Sequence, residues 1–286
     1  MTTKSIAMAL GYVVLAPVIG GLLAGVDRVI SARMQGRKGP PIMQPFFDVF
    51  KLLAKQYVTV NKFQSFYVAG FAIFTIVAGA LFFAGGDLLL VIFALTVGGI
   101  FLVLGAYSAN SPYSTIGADR ELLQMMAYEP MVILAALGLF MVTKSFRVAD
   151  ILAFPKPLIE YLPAVFLGFL FILTIKFRKS PFDLSSSHHA HQELVRGLTT
   201  EFSGRALALI EVAHWYENVL LLGFVYLFVA TNVWLGLAVC AAAYFLEVLI
   251  DNTYARLTWK PMVVWSWVVA GVFGVANIMV VHSLLK

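Results

Sequence analysis

Long uninterrupted apolar runs, not an alternation of apolar and polar positions, dominate this chain. Eight of them cover residues 6–30, 66–84, 88–107, 122–142, 162–176, 206–229, 234–250 and 262–284. A membrane-spanning helix needs about 20 apolar residues. A membrane barrel would instead show strict alternation, so the pattern predicts helices. Gly85, Gly86 and Asp87 form a short link between the second and third runs, and Thr231 with Asn232 joins the sixth and seventh. Links that short place both turns on one side of the membrane. The fifth run is the shortest and is bounded by Pro163. Residues 6–26 are too long for the apolar part of a signal peptide and lack a small-residue cleavage site, so they read as the first span.

Composition sharpens this. Of 286 residues, 61% are hydrophobic and 12% charged, against roughly 25% charged in an average soluble domain. A chain of this length has no aqueous core able to bury so much apolar surface, which excludes a soluble enzyme. The expected fold is all-α: a single integral membrane domain, residues 1–286, with eight transmembrane helices. Charge sets its orientation. Of 20 Lys and Arg, only Lys4, Lys144, Arg147, Lys156 and Lys286 fall outside the loops after the first, third, fifth and seventh spans. Positive residues gather on the cytoplasmic side, so both termini are expected outside. The net charge of +5 therefore faces membrane lipid, not nucleic acid. Cys240 is the single cysteine. That excludes a disulfide framework and any iron–sulfur cluster held by cysteines of this chain alone.

Two cytoplasmic loops are long, residues 31–65 and 177–205. The first carries GRKGPP and then an amphipathic stretch. Phe46, Phe50, Leu53 and Tyr57 share one helical face, and Asp48, Lys51 and Lys55 another; such a helix lies in the membrane interface. The second contains Asp183, a run of serines, His188, His189, His191 and Glu193. His-x-His followed by Glu has zinc-ligand donors. With no cysteine near, a hydrogen-bonding patch facing a partner is the preferred reading, and no metal site is assigned.

Acidic groups in or beside apolar spans are the informative chemistry, since each costs about 2.5–3.5 kcal/mol at a helix centre on insertion scales. Glu129 precedes Pro130, which frees a backbone carbonyl one turn earlier and favours a kink able to hold water. Glu121 lies roughly 80° around the helix from it. Glu211, His214 and Asn218 recur on the sixth span with Glu217 on the flank, and Glu247 with Asp251 ends the seventh, followed by Arg256. Each acid has two readings: a carboxylate paired with a buried cation that locks helix packing, or a stop for protons or ions. Taken together, the set favours conduction, and an ion-coupled transporter fits the pattern nearly as well. There is no Walker loop, dinucleotide fingerprint or nucleophile elbow.

Several ordered segments carry a resemblance. ARMQGRKGPP, MQPFFDVFKLLAKQ, GADRELLQMMAYEPM, SPFDL, ELVRG and TEFSG resemble the quinone-chamber subunit of the proton-pumping NADH dehydrogenase and its counterparts in membrane-bound nickel–iron hydrogenases. Quinone-reducing members have a shorter, acidic segment between PFDL and ELV, where this chain has SSSHHAHQ. With LIEVAHWYENV and LEVLIDNTYARLTWKPM, that departure is similar to the energy-converting (Ech-type) hydrogenases. Formate hydrogenlyase members are similar too, with a poorer match in the sixth span.

The resemblance implies a membrane-anchoring and coupling subunit that links ferredoxin-driven hydrogen evolution to proton or sodium translocation. It implies no catalytic residue and no cofactor in this chain. The nickel–iron centre and iron–sulfur clusters belong to partners: the hydrogenase large and small subunits and a ferredoxin-like iron–sulfur subunit, beside an antiporter-like membrane subunit. Arg33, Arg37, Gly39, Pro40, Asp48 and Lys51, with His188, His189, His191 and Arg196, would dock the peripheral arm. Glu121, Glu129, Asp183, Glu193 and Glu201, followed by Glu211, His214, Glu217, Glu247 and Asp251, would form the coupling and proton-transfer route. The implied setting is the cytoplasmic membrane of an anaerobic bacterium or archaeon. The alternatives are a quinone-chamber subunit and a stand-alone ion transporter.

Overall fold

The computed structural model describes residues 3–56, 58–179, 182, 196–255 and 257–284. Among them the regular elements are helical, with two isolated β-bridges, Asp87 with Arg147 and Phe182 with Leu257. The helices are α1 (Thr3–Met34), α2 (Gln44–Ala54), α3 (Gln64–Phe83), α4 (Leu88–Tyr107), α5 (Pro112–Thr143) and α6 (Val148–Leu152), then α7 (Pro163–Lys176), α8 (Gly204–Leu227), α9 (Val233–Thr253), α10 (Trp259–Val269) and α11 (Ala276–Leu284). A π-helical turn, Ala270–Val275, joins the last two into one 26-residue rod. Seven helices are long and apolar enough to cross a membrane: α1, α3, α4, α5, α8, α9 and that rod. The fifth predicted span is α7, with 14 residues. At about 1.5 Å per residue it falls short of the roughly 30 Å hydrocarbon core.

The predicted short links become capped corners. Asp87 accepts hydrogen bonds from the backbone N–H of Leu89 and Leu90, and Asn232 does the same for Trp234 and Leu235; each satisfies helix-start donors that lack intrahelical partners. Gly86 and Leu88 pair with Val148 and Phe146, and the Ile159 N–H donates to the Phe228 carbonyl. These links therefore gather at one end of the bundle. At the opposite end, Ser203 donates to the Val58 carbonyl at 2.7 Å and Gln64 to the Glu201 carbonyl at 3.1 Å. The two long loops are thus physically joined.

α7 runs between these ends through the protein interior. Val165, Phe169, Ile172, Leu173 and Ile175 are buried among side chains of α5, α8 and the last rod. α1 is its opposite: Leu10, Val14, Leu15, Val18 and Ile19 are exposed, an outward apolar face. The inner face of α1 is stripped to glycine where α2 approaches. A Cβ on Gly25 would strike the Ile42 carbonyl, so only glycine admits the chain there. α2 then seats Pro45 and Val49 inward, with Phe46 edge-on to Trp215 at 5.1 Å. Phe47, Phe50 and Leu53 stay exposed. The predicted apolar face is therefore split, with Phe46 turned to protein and Phe50 and Leu53 turned outward. Tyr57 lies outside the described residues.

The start of α7 is capped from afar. Leu162 has no capping side chain, and Asn277 of α11 accepts from the N–H of both Ala164 and Val165 at 3.1 Å while donating to the Tyr161 carbonyl at 3.2 Å. Replacing a cap of this type costs about 0.5–2 kcal/mol. Asn277→Ala is therefore expected to lower stability by about 1–2 kcal/mol, read as a lower unfolding temperature in detergent. An unchanged midpoint would mean that water caps α7 equally well.

Candidate functional site

α7 ends in Lys176, Phe177, Arg178 and Lys179. Its last turn closes with the Phe177 N–H on the Leu173 carbonyl and the Lys179 N–H on the Thr174 carbonyl. Arg178 adopts a left-handed φ of 56°, which ends the helix. The three cations consequently point to different helices. Lys176 pairs with Glu217 of α8 at 3.2 Å, and Arg178 with Glu121 of α5 at 3.1 Å. Lys179 pairs with Asp27 of α1 and also reaches Asp251 of α9 at 3.5 Å. Cations at a helix C-terminus also meet the negative end of its dipole. One helix end thus ties four others together through charge.

The Lys176 pair is the most enclosed, with side-chain exposures of 8% and 11%. The ammonium also sits over the Tyr128 ring, 4.1 Å from its centroid. The second carboxylate oxygen of Glu217 meets His214 Nδ1 at 3.3 Å, and Phe71 packs against that imidazole. Removing one member of a buried pair leaves an uncompensated charge, so this is an all-or-none arrangement. Two acids stand apart. Glu129 Oε1 is buried without a hydrogen-bond partner, and Glu247 is fully buried with neither oxygen partnered, among the described residues.

The sequence-derived candidates fall into distinct environments. Glu121, Glu217 and Asp251 are brought into the ion-pair hub at α7. Glu217 points inward, not along a flank as its helical position suggested; the flank became interior because α7 packs there. Glu211 is half-buried and has no ion-pair partner among the described residues. The backbone of Glu201, through its bond to Gln64, holds the junction of the two loops. Arg33, Arg37 and Lys51 are exposed, and Gly39, Pro40 and Asp48 half-buried. Arg196 takes a left-handed φ of 58° at the base of the second loop. Asp183, Glu193, His188, His189, His191 and Arg256 lie outside the described residues. Among the described residues, no group of three or more His, Cys, Asp or Glu side chains is placed to hold a metal ion.

Sequence reasoning did not single out Asp27, Lys176, Arg178, Lys179 or Tyr128. The signal available was the cluster Lys-Phe-Arg-Lys at the end of an apolar run, which entered only the count that set orientation. Asp27 lay at the end of the first run and resembled an ordinary span terminus.

At the outer edge, Asp48 accepts from Arg28 at 2.6 Å and from Gln44 at 2.8 Å. Burial pushes its carboxyl up. The hydrogen bonds from Arg28 and Gln44 and the charges of Arg28 and Lys51 outweigh this and hold it below its ordinary value of 3.8. A carboxylate held low stabilises the fold fully above its unfolded pKa and loses that contribution as pH falls through the folded value. α2 is therefore expected to stay anchored from neutral pH down to about 4 and to loosen below it. The effect is small, because the pair is exposed. Amide exchange of α2, corrected for the intrinsic pH dependence and compared with Asp48→Asn, checks this. Protection that is flat through that range would remove Arg28 and Asp48 as the anchor.

The comparisons with known proteins agree with this architecture. The family model for NADH dehydrogenase matches residues 6–282. The chain belongs to that family. It is 32% identical to hydrogenase-4 component C of Escherichia coli, over 71% of this chain and 69% of the relative. It is 28% identical to a membrane subunit of the NADH-quinone oxidoreductase of Geobacter metallireducens, over 93% and 92%. Among solved structures, a chain of the membrane-bound sulfane sulfur reductase, an archaeal respiratory membrane complex, superposes with a TM-score of 0.85. That match covers 96% of this chain and 99% of the other at 23% identity, a likeness of fold. This member of the NADH dehydrogenase family is a multi-pass membrane protein, homologous to subunits of oxidoreductase complexes.

Proposed function

We propose that this chain is the membrane-anchoring and coupling subunit of an energy-converting hydrogenase, linking ferredoxin-driven hydrogen evolution in the peripheral arm to proton or sodium translocation. The observation that carries the reading is the hub at the end of α7. The segment 180–195, with Asp183, the histidines and Glu193, follows Lys179 directly, and Lys176, Arg178 and Lys179 hold carboxylates of α1, α5, α8 and α9. A charge change at that segment acts on the hub over a few residues. Kinship with hydrogenase-4 component C supports the choice of partners: hydrogenase large and small subunits, a ferredoxin-like subunit and an antiporter-like membrane subunit, which hold the nickel–iron centre and iron–sulfur clusters.

In this reading α7 is the eighth crossing. Its shortness is tolerated because protein, not lipid, surrounds it. Both termini lie outside the cytoplasmic membrane of an anaerobic bacterium or archaeon. This chain's residues do no redox chemistry. Glu193, Glu201 and Asp183 receive the charge change, Glu217 and His214 exchange a proton beside Lys176, and Glu121, Glu129, Glu211, Glu247 and Asp251 complete the route. The joined loops form the platform on which Arg33, Arg37, Gly39, Pro40, Asp48, Lys51 and Arg196 meet the peripheral arm.

Glu129→Gln and Glu211→Gln test the route. Both complexes should assemble, and translocation in vesicles should fall by an order of magnitude or more relative to turnover. Wild-type pumping in both variants would show that the route is wrong. The quinone-chamber reading draws on the match to the NADH-quinone oxidoreductase relative; a bound quinone, or sensitivity to quinone-site inhibitors, would select it.

A further inference from the structure

An internal cavity between α4, α5, α7 and α8 has Lys176, Tyr128, Thr96 and Glu129 in a wall that is otherwise apolar. It leaves about 20 Å³ for the centre of a water molecule, the room one water requires. Cavities that stay dry are apolar throughout. This one presents an ammonium, two hydroxyls and a carboxyl, the two to four polar partners that a buried water needs. Glu129 Oε1 is buried with no hydrogen-bond partner among the described residues, and a buried acceptor left without a donor is costly. Glu129 also borders a second, open cleft on the α5–α10 face, with Met126, Pro130, Ile133, Leu134 and Trp267. One carboxyl therefore touches both the inner cavity and the outer face.

We propose that the inner cavity binds a single water molecule that passes protons between Lys176 and Glu129, making Glu129 the point at which the α7 hub opens sideways to the α5–α10 face. The inference rests on the proton-route reading above. Protons and charge balance at each step. Glu217 first takes a proton from protonated His214, which removes the negative charge facing Lys176. Lys176 then gives a proton to the water as the water gives one to the Glu129 carboxylate. The neutral Lys176 amine takes the proton held by Glu217, restoring the 3.2 Å pair. The net result is one proton moved from His214 to Glu129. The cavity's size decides against a larger excursion of the lysine chain, because space for one water does not admit its methylenes.

The test uses the whole complex containing this chain. A high-resolution map should show density for one water within hydrogen-bond distance of both Glu129 Oε1 and Lys176 Nζ. Val132→Leu adds a methylene to the cavity wall, and Thr96→Val removes a hydroxyl without changing shape. Ions moved per turnover are expected to fall several-fold in Val132→Leu and more modestly in Thr96→Val. A map that resolves other internal waters and leaves this cavity empty overturns the proposal. So does a Val132→Leu complex with a visibly filled cavity and wild-type coupling. Glu129→Gln separates the two levels: normal translocation there defeats the route itself, whereas loss there with normal Val132→Leu defeats only the water.

Discussion

Lys176→Met should be among the most damaging single substitutions in this chain, lowering its stability by about 3–5 kcal/mol, the usual cost of breaking a buried ion pair from one side. Methionine fills similar space, so the loss is electrical. Glu217 would keep its charge at 11% side-chain exposure with only His214 beside it, and the contact of the ammonium with the Tyr128 ring would disappear. The double variant Lys176→Met with Glu217→Gln should recover most of the deficit, because no buried charge remains unpaired. Unfolding midpoints of the purified protein in detergent, arranged as a double-mutant cycle, read this directly. Strictly additive costs would mean that the two residues do not depend on each other and that the hub is not a unit.

Gly117→Leu is expected to release the base of the second loop. A Cβ at Gly117 would run into the backbone of Gly197 and Leu198, and backbone cannot step aside as a side-chain tip does. Overpacking of this kind costs about 1–3 kcal/mol. The 3₁₀ turn Gly197–Thr199 would lift from α5. The strain should spread to the Glu201–Gln64 and Ser203–Val58 bonds that join the loops. Amide exchange of residues 197–203 should rise sharply, and the peripheral subunits should dissociate more readily on purification. Unchanged exchange there would show that the loop base is held by other contacts.

The spans were legible because apolar length and corner chemistry report on each other. The run 88–107 is α4 residue for residue, with Asp87 as its cap, and 234–250 sits inside α9 behind Asn232. α5 was cut short at 122 because Gly117, Ala118, Asp119, Arg120 and Glu121 look too polar to cross lipid. Gly117, Ala118 and Glu121 are buried by protein instead. The hub was less legible for a simple reason: its pairs join residues 41, 57 and 152 positions apart, distances over which no helical period carries information. A wheel drawn for α8 cannot say which side α7 will occupy, so Glu217 read as a flank residue. The π-helical turn at Ala270–Val275 had no announcement in an otherwise uniform apolar run. Acids stood out by composition, and their cations did not, because basic residues at span ends are ordinary.

The central claim is that this chain couples a nickel–iron hydrogenase to ion movement, and a mild pull-down through a tag on this chain tests it most directly. Hydrogen evolution from reduced ferredoxin or viologen would be measured on the isolated complex, with nickel, iron and flavin quantified in the same sample. Nickel together with iron and hydrogen evolution is the expected result. Iron and flavin without nickel, or a chain recovered alone and free of metal, would contradict the claim.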